Sequence, residues 1–186
     1  TAINGPAAGA GVGIALGGDI VVMAKSAYLL LAFSNIGLVP DCGATWLVAK
    51  SAGRAKALEM ALLGEKMSAD DAKDAGLVAR VVEDDALMAE AGKLAATLAA
   101  KPTIALGLIR AQVKAALNTT LSETLSVEAA HQRIAGKTQI GRASWRERVE
   151  ISVGPVSLKK KSTHTRTPPR CLVCTSLPVT PHSPRT

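Results

Sequence analysis

Aromatic residues are nearly missing from this chain: two Trp, one Tyr and one Phe make up 2% of its 186 residues. So few rings supply no stacking platform for single-stranded nucleic acid. The core must be aliphatic, because 48% of the residues are hydrophobic and almost all of those are Ala, Leu, Val and Ile. Cysteine is scarce. Cys42, Cys171 and Cys174 do not make a disulfide framework. Long charge-free apolar runs are absent, since the small-residue stretch 5–18 is closed by Asp19. No committed membrane span is therefore read. The first residues carry no basic n-region, so no signal peptide is read and a cytoplasmic protein is expected.

The net charge of +7 is placed unevenly. Residues 139–186 hold nine of the 22 Lys/Arg and two of the 15 Asp/Glu, which accounts for the whole surplus and leaves residues 1–138 neutral. Composition changes at the same point, from Ala and Leu to Ser, Thr, Pro and Arg. Such a segment cannot bury enough apolar surface to order itself. A disordered tail is expected, more like translated adapter or out-of-frame DNA than an evolved domain. Lys159-Lys160-Lys161 reads as a solvated run without a groove-reading motif, so neither a specific nucleic acid nor a membrane is expected as partner. Cys171-Leu-Val-Cys174 is a single C-x-x-C, and His164 and His182 stand at loose spacings, so no metal site is expected.

Two stretches carry the informative chemistry. Asn4-Gly5-Pro6-Ala7-Ala8-Gly9-Ala10-Gly11-Val12-Gly13 is a short apolar strand end running through glycines into an apolar helix. Glycine permits close backbone approach and unusual φ, and a helix start leaves backbone N–H groups without intrahelical partners. The stretch reads either as tight strand-to-helix packing or as a cluster of donors for a developing negative charge. It is not the dinucleotide fingerprint, which needs G-x-G-x-x-G, nor a P-loop, since no Gly-Lys-Ser/Thr follows. The second stretch, Gly37-Leu38-Val39-Pro40-Asp41-Cys42-Gly43-Ala44-Thr45-Trp46, puts one carboxylate near another helix start. Asp41 reads as an N-cap or as an acid/base group. Cys42 has no histidine nearby and reads as a small buried hydrophobe.

Around these stretches the patterning predicts strands over 1–3, 19–24, 28–32 and 78–82, and a buried helix over 11–17. Helices are predicted over 46–52 and 54–63, with Gly53 and Gly64 as stops. Ser68-Ala-Asp-Asp71 opens a short helix that Gly76 ends. Long helices follow from Asp84 or Asp85 to Ala100 and from Thr103 to Leu117, broken by Lys101-Pro102. Thr120-Leu-Ser-Glu123 is a capping box for a last helix to Ala135. Strands followed by helices, with crossovers between successive strands, indicate an α/β layer fold with a helical C-terminal region.

Ala7-Ala-Gly-Ala-Gly11, Leu16-Gly-Gly-Asp-Ile20 and Pro40-Asp-Cys-Gly43 followed by Thr45-Trp-Leu47 resemble the crotonase (enoyl-CoA hydratase/isomerase) superfamily. They are most similar to an isomerase branch that acts on ring epoxides of aromatic acyl-CoA. The resemblance runs in register to about Thr138, so residues 1–138 are expected to form a partial crotonase-like domain and 139–186 an unrelated tail. It implies the ββα spiral fold, homotrimers or dimers of trimers, and an acyl-CoA substrate whose CoA is the only cofactor-like group. It also implies that one oxyanion donor and much of the CoA-binding surface belong to a segment ahead of Thr1.

Carried over by position, the Ala10 backbone N–H is an oxyanion-hole donor, and Gly9 and Gly11 shape its turn. Asp41 takes the place of an acid/base carboxylate. The resemblance puts Gly13 and Phe33 where hydratases keep their two glutamates, and neither residue can activate water. Phe33 and Trp46 line the acyl pocket or pack in the core. Asp19 ends a helix and starts a strand, and His131 is a surface or interface residue. The implied reactions are isomerisation through a thioester enolate, enoyl hydration as the rival, and a non-catalytic fragment or basic-tail binding module as the alternative from another class.

Overall fold

The computed structural model describes residues 1–143. The chain weaves two small sheets at once. Strands β1 (Ala2–Ile3), β3 (Val22–Ala24) and β6 (Arg80–Val82) form one, all parallel, in the order β1-β3-β6. Strands β2 (Ala7–Ala8), β4 (Tyr28–Leu30) and β5 (Lys66–Ser68) form the other, with β2 and β4 parallel and β5 antiparallel to β4. The chain alternates between the sheets through β4, adds β5 to the second sheet, and returns to the first only with β6, and each parallel return requires a crossover. Helix α1 (Ala10–Leu16) is the first crossover.

The second crossover is longer. A 3-10 turn at Ala32–Ile36 follows β4 and ends at Gly37, whose φ of 70° suits glycine. Helix α2 (Ala44–Leu63) follows, and Gly53 inside it has φ 81° and ψ 169°, which no helix admits. The two helices predicted on either side of Gly53 are thus real, joined at a kink. Asn35 Nδ2 donates to the Gly64 carbonyl at 3.1 Å and ties the end of α2 back to the 3-10 turn. Helix α3 (Ala69–Asp74) is capped by Ser68, whose Oγ accepts the Asp71 N–H.

The core is aliphatic, as the composition requires. Val12, Val22, Met23, Leu29, Leu31, Val48 and Leu87 are the largest fully enclosed side chains, and no charged or polar residue is buried among the described residues. Each such aliphatic side chain contributes about 1.5–3 kcal/mol through removal from water. Phe33 is the one aromatic residue in this core.

Helix α4 (Leu87–Ala99) packs on β1 and β3 and buries Leu87. Helices α5 (Thr103–Ala116) and α6 (Leu121–Gly136) bury no residue fully and pack on each other. The predicted capping box is present: Thr120 Oγ1 accepts from Glu123 N, and Glu123 returns by accepting from the Thr120 N–H. Helical backbone resumes at 139–143, with Thr138 Oγ1 accepting the Gly141 N–H at 3.0 Å. The disorder expected of the tail beyond residue 143 lies outside the described residues. Among the described residues no single helix is long and apolar enough to cross a membrane.

All four predicted strands are shorter than their sequence patterns: Ala2–Ile3 of 1–3 is strand, and Tyr28–Leu30 of 28–32, where Ala32 already begins the 3-10 turn. Only Val22–Ala24 of 19–24 and Arg80–Val82 of 78–82 are strand, and Asp19 lies ahead of β3, paired with Arg110. Helix α1 buries Val12, Gly13 and Leu16 but leaves Ile14 exposed, so it is packed along one side rather than enclosed.

Candidate active site

The site assembles where β2 and β4, neighbours in the second sheet, hand the chain to helices. Strand β2 leads directly into Gly9, whose N–H donates to the Leu30 carbonyl of β4 at 2.9 Å. This bond pins the last residue before α1 to the neighbouring strand. Gly9 then turns at φ 56° and ψ −126°, a combination that favours glycine, and no side chain caps the helix. Val12 N–H folds back to the Gly9 carbonyl at 3.0 Å. Ala10 and Gly11 occupy the first turn, half-buried, where backbone N–H groups have no intrahelical acceptor.

Phe33 joins this turn. It sits in the 3-10 segment after β4, 8% exposed, and its Cζ would lie 3.7 Å from a Cβ placed on Gly9. A side chain at position 9 would strain the backbone, while its Cβ would make only an ordinary contact with the ring. Phe33 walls the Ala10 turn and belongs to the core at the same time.

The Asp41 loop meets the next turn of α1. A Cβ on Gly13 would stand 2.9 Å from the Cys42 carbonyl carbon, 3.1 Å from Cys42 Cβ and nearer still to the Cys42 carbonyl oxygen. Cys42 has φ 50° and Gly43 φ 77°. The Asp41 carbonyl accepts the Ala44 N–H at 2.9 Å and closes the loop.

Two local expectations are corrected here. Asp41 is not the N-cap of α2. Gly43 holds that place and no side chain caps the helix, because the pair of left-handed residues puts the cap two positions beyond Asp41. Cys42 is not buried; it is exposed. Its backbone, rather than its thiol, faces α1. The thiol lies beside the Asp41 carboxylate. That negative charge raises the Cys42 pKa above its ordinary value, and desolvation and a hydrogen bond to Asp41 add to the effect. Raised pKa disfavours the thiolate, the nucleophilic form.

Asp41 itself is exposed, and the apolar neighbours read from the sequence do not enclose it: Leu38, Val39 and Trp46 are all exposed. Trp46 stands apart from the cluster. It lines a cavity of about 1110 Å³ bounded by α4, α5, the first turns of α2 and the segment Leu16–Ile20. None of Gly9, Ala10, Gly11, Phe33 or Asp41 reaches that cavity. Asp19 pairs with Arg110 of α5 at 2.6 Å beside it. His131 is half-buried on α6, and its Nδ1 has no partner among the described residues. No group of three His, Cys, Asp or Glu among the described residues could hold a metal ion.

The structure thus brings Gly9, Ala10, Gly11 and Phe33 together at the start of α1, seats the loop that carries Asp41 against Gly13 of the same helix, and keeps Trp46 apart, on another cavity. Sequence reasoning missed Gly13 as a contact point. Its signal was the Gly-x-Gly run itself, whose last glycine has a different neighbour from the first.

An α/β spiral with a backbone-donor turn and one carboxylate on an adjacent loop is the crotonase fold, and the comparisons agree. The family described as enoyl-CoA hydratase/isomerase matches residues 1–152, and this chain belongs to that family. The 1,2-epoxyphenylacetyl-CoA isomerase of Escherichia coli K12 is 48% identical over 80% of this chain and 55% of its own length. Enoyl-CoA hydratase subunit I of Geobacillus kaustophilus HTA426 superposes with a TM-score of 0.76 at 32% identity, covering 80% of this chain and 58% of that one. A Thermobifida fusca YX protein described as an enoyl-CoA hydratase, solved in complex with CoA, gives 0.67 at 29% identity, covering 78% and 53%. The chain spans about half the length of the curated relatives it matches.

Proposed function

We propose that this chain carries the proton-transfer half of an acyl-CoA isomerase. The observation that carries the reading is the pair of residues on either side of the Ala10 turn. Gly13 is sealed by the Cys42 backbone and Phe33 is packed in the core. No carboxylate reaches the turn from either place, and Asp41 is the acid on the adjoining loop. In this reading the thioester oxygen accepts the Ala10 N–H and a second donor from elsewhere in the enzyme. One such donor is typically worth about 3–4 kcal/mol of barrier. The Asp41 carboxylate removes a proton from carbon next to the carbonyl, the electron pair moves to the oxygen as an enolate, and the protonated Asp41 returns the proton to another carbon. For a double-bond shift these atoms balance without a co-reactant, a metal or a redox cofactor; for a ring epoxide the enolate electron pair would instead break the adjacent C–O bond, with the ring oxygen kept in the product. CoA arrives as part of the substrate.

The similarity to the 1,2-epoxyphenylacetyl-CoA isomerase favours an aromatic-derived acyl-CoA, with a ring epoxide or a shifted double bond as the reacting group. A cytoplasmic homotrimer or dimer of trimers is the state that the family resemblance implies. Hydration is the second reading, favoured by the hydratase relatives. The third is a non-catalytic fragment or a module that binds through its basic tail.

The test is turnover of enoyl-CoA and ring-epoxide thioesters by the purified chain and its Asp41→Asn variant. Isomer formed by the native chain and lost by about 100-fold or more in the variant is the expected result. A hydrated product points to the second reading, and an inert native chain to the third. In that last case nucleic-acid binding that disappears on truncation at Thr138 and weakens steeply with salt identifies the tail as the active part.

A further inference from the structure

Helix α1 meets the Asp41 loop at position 13, and the nearest loop atoms there are main chain. The Cys42 carbonyl carbon would be 2.9 Å from any Cβ there, with the carbonyl oxygen closer. Backbone atoms cannot rotate away as a side chain can. The loop is held in a demanding shape: Cys42 is the only non-glycine residue with positive φ among the described residues. Such a conformation persists only where the surroundings over-determine it. The outer side of the loop does not supply that constraint, because a Cβ on Gly43 would meet open space. The inner side does, through Gly13.

We propose that Gly13 is a positioning residue for Asp41. Its bare Cα seats the Cys42 backbone on α1, and this seating sets where the Asp41 carboxylate stands. The inference rests on the proton-shuttle reading of Asp41. It gives position 13 a part in selecting the reaction: the volume that a water-activating side chain would use is occupied by the loop that carries the single carboxylate.

Cys42 is a built-in reporter, because its thiol titrates beside Asp41. Alkylation of Cys42 by iodoacetamide is followed against pH in the full chain, with peptide mass mapping to separate it from Cys171 and Cys174. The native half-point lies above that of a free thiol, and Asp41→Asn lowers it. Gly13→Ala is expected to lower it in the same direction. Gly92→Ala, on exposed α4 where a Cβ meets open space, leaves it unchanged. Turnover by Gly13→Ala falls about 100-fold in kcat with a much smaller change in KM, as expected when a catalytic group is misplaced by about 1 Å.

A native alkylation profile in folded Gly13→Ala overturns the proposal. If that variant does not fold, Gly43→Ala strains the same loop from its exposed side without adding buried volume. A lowered half-point there supports the proposal and a native one overturns it. Failure of the Asp41 reading looks different: Asp41→Asn then shifts the alkylation profile but leaves turnover intact.

Discussion

The Cys42 carbonyl lies so near the Gly13 Cα that position 13 admits no side chain. Two segments of the chain, the glycine turn of α1 and the Asp41 loop, are therefore one packed unit. Gly13→Glu is expected to fail twice. It overpacks by more than the about 1–3 kcal/mol typical of inserted methylenes, because it also forces a carboxylate into a buried place. It also does not create a hydratase. Urea denaturation and water addition to an enoyl thioester read the two effects. A stable variant that hydrates the thioester contradicts both.

Leu29 is fully enclosed on β4, next to the strand that feeds the Ala10 turn. Leu29→Ala should cost about 2–5 kcal/mol, the range for a cavity that cannot collapse. A shift in the denaturation midpoint without a change of slope is the signature. A cost below about 1 kcal/mol means that the site relaxes and is not the rigid support described above.

Helix α6 depends on its start more than on burial, since none of its residues is fully buried. Thr120→Ala removes the cap that accepts the Glu123 N–H and should weaken the helix by about 1 kcal/mol. Hydrogen exchange resolved by residue should quicken over 121–136 and stay unchanged in β3 and β4. Equal acceleration everywhere means that α6 and the core open as one unit.

Acid should loosen two tethers. Asp84 accepts the Ser26 N–H at 3.0 Å, and its pKa lies below the ordinary 3.8, first because of the Ser26 side chain and then the Ser26 backbone. Glu123 accepts the Thr120 N–H at 2.8 Å, and its pKa lies below the ordinary 4.5, first through that backbone bond and then the Thr120 hydroxyl. Both groups bind protons less readily when folded. Their stabilisation is complete above the unfolded values and is lost as pH falls through the lower, folded ones. Thermal midpoints should therefore drop as pH falls below about 4.5. Asp84→Asn combined with Glu123→Gln should flatten that limb, and an unchanged slope counts against the tethers.

Much of this was legible in the residues. The Gly53 break, the Ser68 cap, the Thr120–Glu123 box and the aliphatic core follow from local chemistry that tertiary context leaves alone. Strand β5 was not legible. Lys66–Ser68 alternates around buried Met67, but three residues are too few to show a period, and the strand is defined by its pairing with the β4 edge. Cys42 was misread for a related reason. Apolar character suggested burial, whereas Cys42 is exposed, in a left-handed turn with Gly43, and meets α1 mainly through its carbonyl group. Trp46 shows the limit of spacing: it lies only five positions past Asp41 in the chain, but the helix carries it to another cavity.

The interleaving of two sheets along the chain also sets an order of events in time. The Ser26–Asp84 bond beside the β3–β6 pair joins residues 58 apart in the chain. Closing a loop of that length costs about 3–4 kcal/mol in its length-dependent part alone. Strand β6 cannot dock early, because the α2 and α3 crossovers must first shorten the path. Refolding is therefore expected to be slow for a chain this rich in helix, with the β2–β4 layer and its glycine turn in place before the first sheet is complete.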